Sequence, residues 1–216
     1  MKTYLDKKKT ARLARCSRIL RILILLTMVS TCLTNSSLLT LVPALEFPSR
    51  ILAFVVDLTY GIVLLCMTFS SDGFKYAAYC RFFIISLTPA VLLLKVLEGS
   101  SWVQDLAAFL SAVLSCFSLY QEFRGHEEAI MSADAEISER WSLLWKLVFY
   151  TYLVTIPSTL ITMYLPLIGA ILLLVCLIIL IVLKVKQYTL LEDTAKAYDA
   201  WEPSVITDND RHYRYF

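Results

Sequence analysis

Glycine is scarce in this chain, five residues in 216, and none is clustered as G-x-G-x-x-G or G-x-x-x-x-G-K. Without such a loop there is no backbone cradle for a nucleotide's phosphates. The G-x-S-x-G turn that exposes a hydrolase serine is also missing, as is the H-E-x-x-H zinc helix. Histidine occurs only at positions 126 and 212. Glu122 and His126 are four apart and share a helix face, but a metal needs a further fixed ligand. Glu122, His126, Glu127 and Glu128 are therefore expected on a solvated acidic face. The six cysteines (Cys16, Cys32, Cys66, Cys80, Cys116 and Cys176) lie in or beside apolar segments without C-x-x-C spacing. They read as small apolar thiols packed in helices. No cofactor, metal or catalytic constellation is expected, and the chain is not read as an enzyme.

Charged residues are thin at 18%, while 58% are hydrophobic and the mean hydropathy is +0.68. Soluble domains sit near 45–50% apolar. Six apolar runs account for the excess: Ile19–Val42, Ile51–Phe69, Ala77–Leu97, Val103–Tyr120, Leu143–Tyr164 and Leu167–Leu183. Each is about the roughly 17–25 residues that a spanning helix needs. The expected fold is all-α, a polytopic integral membrane bundle of six transmembrane helices. A basic segment, 1–18, precedes the six-helix domain, 19–186. Two amphipathic helical segments are expected on the cytoplasmic side, one in the loop 121–142 and one opening the tail, 187–216. The run Ile22–Met28 behind the basic residues is similar to a signal peptide, but Thr31 before Cys32 is a poor cleavage site, and the segment reads as a retained first span.

Orientation follows from lysine and arginine. Residues 1–21 carry eight basic side chains against one acidic. With the N-terminus inside, six spans bring both termini inside, together with every basic residue except Arg50 and Lys95. The chain is therefore expected to be N-in/C-in in a cell membrane, most simply a bacterial inner membrane. Trp102 falls at the expected outer boundary and Trp141 and Trp145 at the inner one, the depths that indole rings prefer. Ser138 is an expected N-cap. The inner segments are acidic, so an anionic leaflet would repel them; they are expected to pack on each other and on the basic N-terminal segment. The sixth run is Leu, Ile and Val all round and is expected at the periphery, facing lipid. Thr151, Thr155, Ser158 and Thr162 recur at helical spacing and mark an inward face whose hydroxyls can bond across helices.

A charge within a span is costly and marks a candidate site. Asp57, Tyr60, Lys95 and Asp105 form the candidate intramembrane polar site, a pocket in the outer half for a small cation or a coupled proton. The competing reading is a Lys95–Asp105 pair that only ties two helices. Trp141, Trp145, Tyr198 and Trp201 are the candidate contacts for a partner on the cytoplasmic side. In span count and size the chain is similar to the substrate-binding subunits of vitamin transporters, with no motif in common and no residue carried over. The expected function is a small transport or solute-binding membrane component. The alternative is a non-catalytic interaction protein that presents residues 121–142 and 187–201 to a membrane or cytosolic protein. Besides the lipid bilayer, such a protein is the one partner class expected; nucleic acid is not, because the single basic cluster abuts a membrane segment.

Overall fold

The computed structural model describes residues 7–35, 46–96 and 101–201. Among them are six helices and no strand: α1 Lys7–Asn35, α2 Glu46–Cys66, α3 Asp72–Val96, α4 Ser101–Ile130, α5 Ala135–Tyr164 and α6 Pro166–Ala200. Local chemistry sets the boundaries. The α2–α3 turn closes by Met67 N–H and Ser70 N–H donating to the Leu64 and Met67 carbonyls. Asp72 then opens α3 in its first turn, where a carboxylate complements the helix dipole. Asp134 caps α5, its Oδ1 accepting from Ile137 N–H at 3.0 Å. Pro166 occupies the first turn of α6, where its missing N–H costs nothing.

Three expectations change here. The segment 121–142 is not a separate helical loop: α4 runs on to Ile130, residues 131–134 form a turn, and α5 begins. The segment 187–201 is not a separate helix either, because α6 continues unbroken to Ala200 and ends at Trp201 in extended conformation. Neither stretch holds a helix breaker strong enough to part it from the apolar run beside it. The cap is Asp134, and Ser138 lies one turn inside, its hydroxyl donating to the Glu127 carbonyl at 3.0 Å.

Each helix packs against its neighbours in sequence, and α1 packs against α6, so the elements close into a ring. Two glycines let α3 and α4 approach closely. A Cβ on Gly73 would sit 2.6 Å from the Gln121 carbonyl oxygen, and one on Gly125 would sit 2.9 Å from the Phe74 ring. Gly169 does the same for the α5–α6 hairpin against the Thr162 backbone.

Lys7 and Ala200 lie at the same end of the ring, and the core is gathered there. Leu13 and Leu20 of α1, Leu64 of α2, Met67 of the α2–α3 turn, Phe74 of α3, Phe123 and Ile130 of α4, Trp141 of α5 and Leu191 of α6 are all fully buried. As expected, the basic α1 meets the acidic end of α6. Arg18 pairs with Asp199, and Arg21 pairs with Glu192 at 2.9 Å while its guanidinium lies over the Tyr188 ring at 4.2 Å. The Glu192 carboxyl is held below its ordinary range, first by a hydrogen bond from Lys196 and then by the Arg21 charge.

Toward the other end the helices expose apolar side chains. In α6, Leu167, Ile168, Ile171, Leu174, Val175, Ile178, Ile181 and Val182 are all exposed, in keeping with the peripheral sixth run. Two helices among the described residues are long and apolar enough to cross a membrane, Pro48–Cys66 and Pro166–Ala200. The six-span expectation thus narrows to six helices with two membrane-capable ones. The other helices dilute their apolar runs with charges such as Arg81 and with proline, tyrosine and hydroxyl side chains. The hydroxyl stripe of α5 turns inward at Thr151 and Ser158, which are buried. Thr151, Thr155, Ser158 and Thr162 each donate to the carbonyl four residues back, at 2.7–2.9 Å, the local alternative to bonding across helices. Like Ser138, Ser118 of α4 does cross, donating to the Ala77 carbonyl of α3 at 3.0 Å.

Candidate functional site

Four helices bring one or two polar side chains each to a single level near the Lys7/Ala200 end. Glu122 of α4 is fully buried. Its Oε1 accepts from Tyr60 Oη of α2 at 2.5 Å and from Gln187 Nε2 of α6 at 3.2 Å. Its Oε2 accepts from Arg81 Nη2 of α3 at 3.3 Å. Arg81 also faces Asp57 of α2, with Nη1 3.6 Å from Oδ1, and its guanidinium carbon lies 3.9 Å from the Tyr60 ring centroid. Lys184 Nζ completes the chain by donating to Gln187 Oε1 at 3.0 Å. Two carboxylates therefore share one guanidinium. One is sealed from solvent and the other, Asp57, has a side chain 48% exposed. A buried carboxylate survives folding only when charge and hydrogen bonds replace its water, and here three donors do so.

One turn further along α4, His126 is also fully buried. Its ring stacks on Trp141 of α5, with centroids 4.3 Å apart, and meets Phe74 edge-on at 4.9 Å. Neither ring nitrogen has a hydrogen-bond partner among the described residues. Burial disfavours the imidazolium and lowers the histidine to about 4, against a smaller upward pull from Glu122. Trp141 Nε1 donates to Thr194 Oγ1 of α6 at 3.0 Å. The expected solvated acidic face thus loses Glu122 and His126 to the interior, because α4 continues as a helix whose 3.6-residue period turns them inward. Glu128 stays outside, paired with Arg124 at 2.7 Å and accepting from Ser71 at 2.7 Å.

The sequence-derived residues divide accordingly. Asp57 and Tyr60 come together, but with Arg81 and Glu122. Lys95 and Asp105 lie on α3 and α4, and their side chains fall outside the described residues. Of the candidate partner contacts, Trp141 and Tyr198 are 0% and 1% exposed. They are core side chains rather than presented ones, because α5 and α6 turn their apolar stripes against each other. Trp145 and Trp201 are partly exposed, Trp145 against Tyr120 with centroids 4.8 Å apart. No group of three or more His, Cys, Asp or Glu suited to a metal occurs among the described residues.

Arg81 and Gln187 do not stand out in the sequence as site residues, and Glu122 does so only beside His126, as an incomplete metal pair. Their signal is an interruption: each follows or breaks an apolar run within a couple of turns of its inner edge. Comparison with family models, with curated proteins and with solved structures finds no match for this chain.

Proposed function

We propose that the chain is a multi-pass protein of the cell membrane, crossing it six times with Lys7 and Ala200 on the cytoplasmic side, and that it serves as a small transport or solute-binding component. Helix length supports the crossings. At 1.5 Å per residue, the 29–35 residues of α1, α4, α5 and α6 reach about 44–52 Å, beyond the roughly 30 Å of a hydrocarbon core. The excess is the end where the core and the ion pairs gather, and in this reading it projects into the cytoplasm. Glu122 and His126 lie just past the span 103–120.

The observation that carries the transport reading is the Tyr60–Arg81–Glu122–Gln187 cluster. Ionisable groups buried inside a helical bundle are costly unless paired and hydrogen-bonded, and a paired set beside the membrane-facing part of the bundle is a candidate solute or ion site. This one joins α2, α3, α4 and α6 at one level, and an exposed carboxylate, Asp57, stands beside the buried one. A second reading has its own observation. The projecting ends of α1, α4, α5 and α6 form a continuous apolar core with a charged exterior, as an interaction module would.

Native mass spectrometry of the intact chain extracted from its membranes separates the two. A small molecule retained by the wild type and lost in Glu122→Gln supports solute binding. A stoichiometric protein subunit retained by both supports the interaction reading.

A further inference from the structure

We infer that the cleft between α4 and α5, at the inner boundary of the bundle, holds the headgroup of a zwitterionic phospholipid whose ammonium carries N–H groups, as phosphatidylethanolamine does. The cleft has a volume of about 290 Å³ and opens beside Tyr120, where the apolar run 103–120 ends. Its charged side chains Arg124, Glu128 and Lys146 are exposed. A lipid at this place rests on the six-span reading, in which headgroups begin at that level.

The lining residues stack in the order of such a headgroup. Here α4 runs toward the cytoplasm and α5 runs back, so position along each helix gives depth. Tyr120 and Trp145 lie deepest, with ring centroids 4.8 Å apart, at the depth that amphipathic rings prefer. Lys146 follows Trp145 at that level. Arg124 is about one turn of α4 nearer the cytoplasm, and Glu127 and Glu128 are about one turn further still. Ser138, which donates to the Glu127 carbonyl, fixes that level on α5, eight residues or about 12 Å before Lys146. From the lipid outward the cleft therefore offers aromatic rings, then cations, then carboxylates. A phospholipid of this kind presents glycerol esters, then phosphate, then ammonium.

The right charges are also uncommitted. Glu128 is occupied by Arg124 and Ser71, whereas Glu127 and Lys146 make no ion pair among the described residues. Arg124 gives Glu128 only the N–H on Nε, one of its five donors. An ammonium with N–H groups can donate to Glu127. A trimethylammonium cannot, and it favours aromatic faces, which lie at the other end of the cleft. An anionic headgroup without an ammonium would bring its polar end against two carboxylates. The α5–α6 cleft, lined by Arg140 and Lys186 among others, lacks this order: there Arg140 and Asp193 face each other at 3.9 Å.

The test reconstitutes the full chain into nanodiscs of equal parts phosphatidylethanolamine, phosphatidylcholine and phosphatidylglycerol. Native mass spectrometry then counts the lipids that stay bound when the discs are stripped. The wild type is expected to retain phosphatidylethanolamine over the other two. Lys146→Gln and Glu127→Gln are each expected to lower that preference about threefold, the size of an exposed ion pair, and Lys186→Gln to leave it unchanged. Glu127→Gln is also expected to gain phosphatidylglycerol, because the cations lose their neighbouring carboxylate; a merely destabilised chain would not. Should one of the two variants fail to fold, the other carries the comparison. Equal retention of all three lipids, a wild-type preference for phosphatidylcholine or phosphatidylglycerol, or a phosphatidylethanolamine preference that survives in Lys146→Gln and Glu127→Gln overturns the site. Insertion without preference retires the site alone, whereas recovery of the chain outside the discs retires the six-span reading and the lipid with it.

Discussion

Arg81 and Glu122 are held together by what surrounds them more than by their mutual attraction. Removing one partner of a buried ion pair leaves the other uncompensated, at a cost of about 3–5 kcal/mol, whereas an apolar pair of similar volume is often neutral. Arg81→Ala is therefore expected to lower the thermal midpoint in detergent steeply, and the double variant Arg81→Met/Glu122→Met to recover most of the loss. Equal destabilisation by both would contradict the burial of the pair. His126 makes a second residue-scale prediction. Its folded value of about 4 lies below the roughly 6.5 of a free imidazole, so the unfolded chain binds more protons between those values. Stability is then full above about pH 6.5 and falls as pH drops toward 4, by at most about 3 kcal/mol. His126→Phe keeps the stack on Trp141, leaves no orphaned nitrogen and is expected to flatten that part of the curve. Denaturation midpoints measured from pH 7 to pH 4 check it.

Among the elements, the α3–α4 crossing is the least forgiving. Gly73 faces backbone, the Gln121 carbonyl and Gly125 N, which cannot swing aside as a side chain can. Gly73→Ala is expected to push the helices apart and cost about 1–3 kcal/mol, read as a lower thermal midpoint and weaker Tyr60–Glu122 coupling in a double-mutant cycle. The α1–α6 contact is electrostatic at its rim. Arg21→Glu should destabilise it, and Arg21→Glu/Glu192→Arg should restore it in part, with high salt shrinking both effects. The helices themselves were legible in the sequence, since long apolar runs separated by short polar gaps leave little choice. The packing of α1 on the tail was legible as well, from opposite charge. The continuity of α4 and α6 past their apolar runs was harder to see. Polarity changes at Gln121 and Lys184 without a breaker, so a change of solvent looks in sequence like the end of an element. The candidate site was only half legible for the same reason. Asp57 and Tyr60 sit within an apolar run and stand out, while Glu122 and Gln187 sit in polar stretches and look ordinary until the ring closes around them.

At the scale of the whole molecule, the ring has two unlike ends. One holds the buried core, the charge network and both described termini; the other shows apolar side chains to its surroundings, with Tyr164 86% and Leu167 77% exposed. In water such a surface would drive aggregation, and in lipid it is the ordinary state of a spanning helix. The proposed orientation follows from this asymmetry and from the basic residues of α1. Single cysteines at Ser132, in the α4–α5 turn, and at Leu165, in the α5–α6 turn, in a chain with its own cysteines replaced, report this directly to a membrane-impermeant thiol reagent. In intact cells Leu165→Cys is expected to label and Ser132→Cys to remain protected, and in inside-out vesicles the pattern should reverse. Labelling of both positions from the same face would mean that α5 does not cross, and would contradict the six-helix membrane bundle.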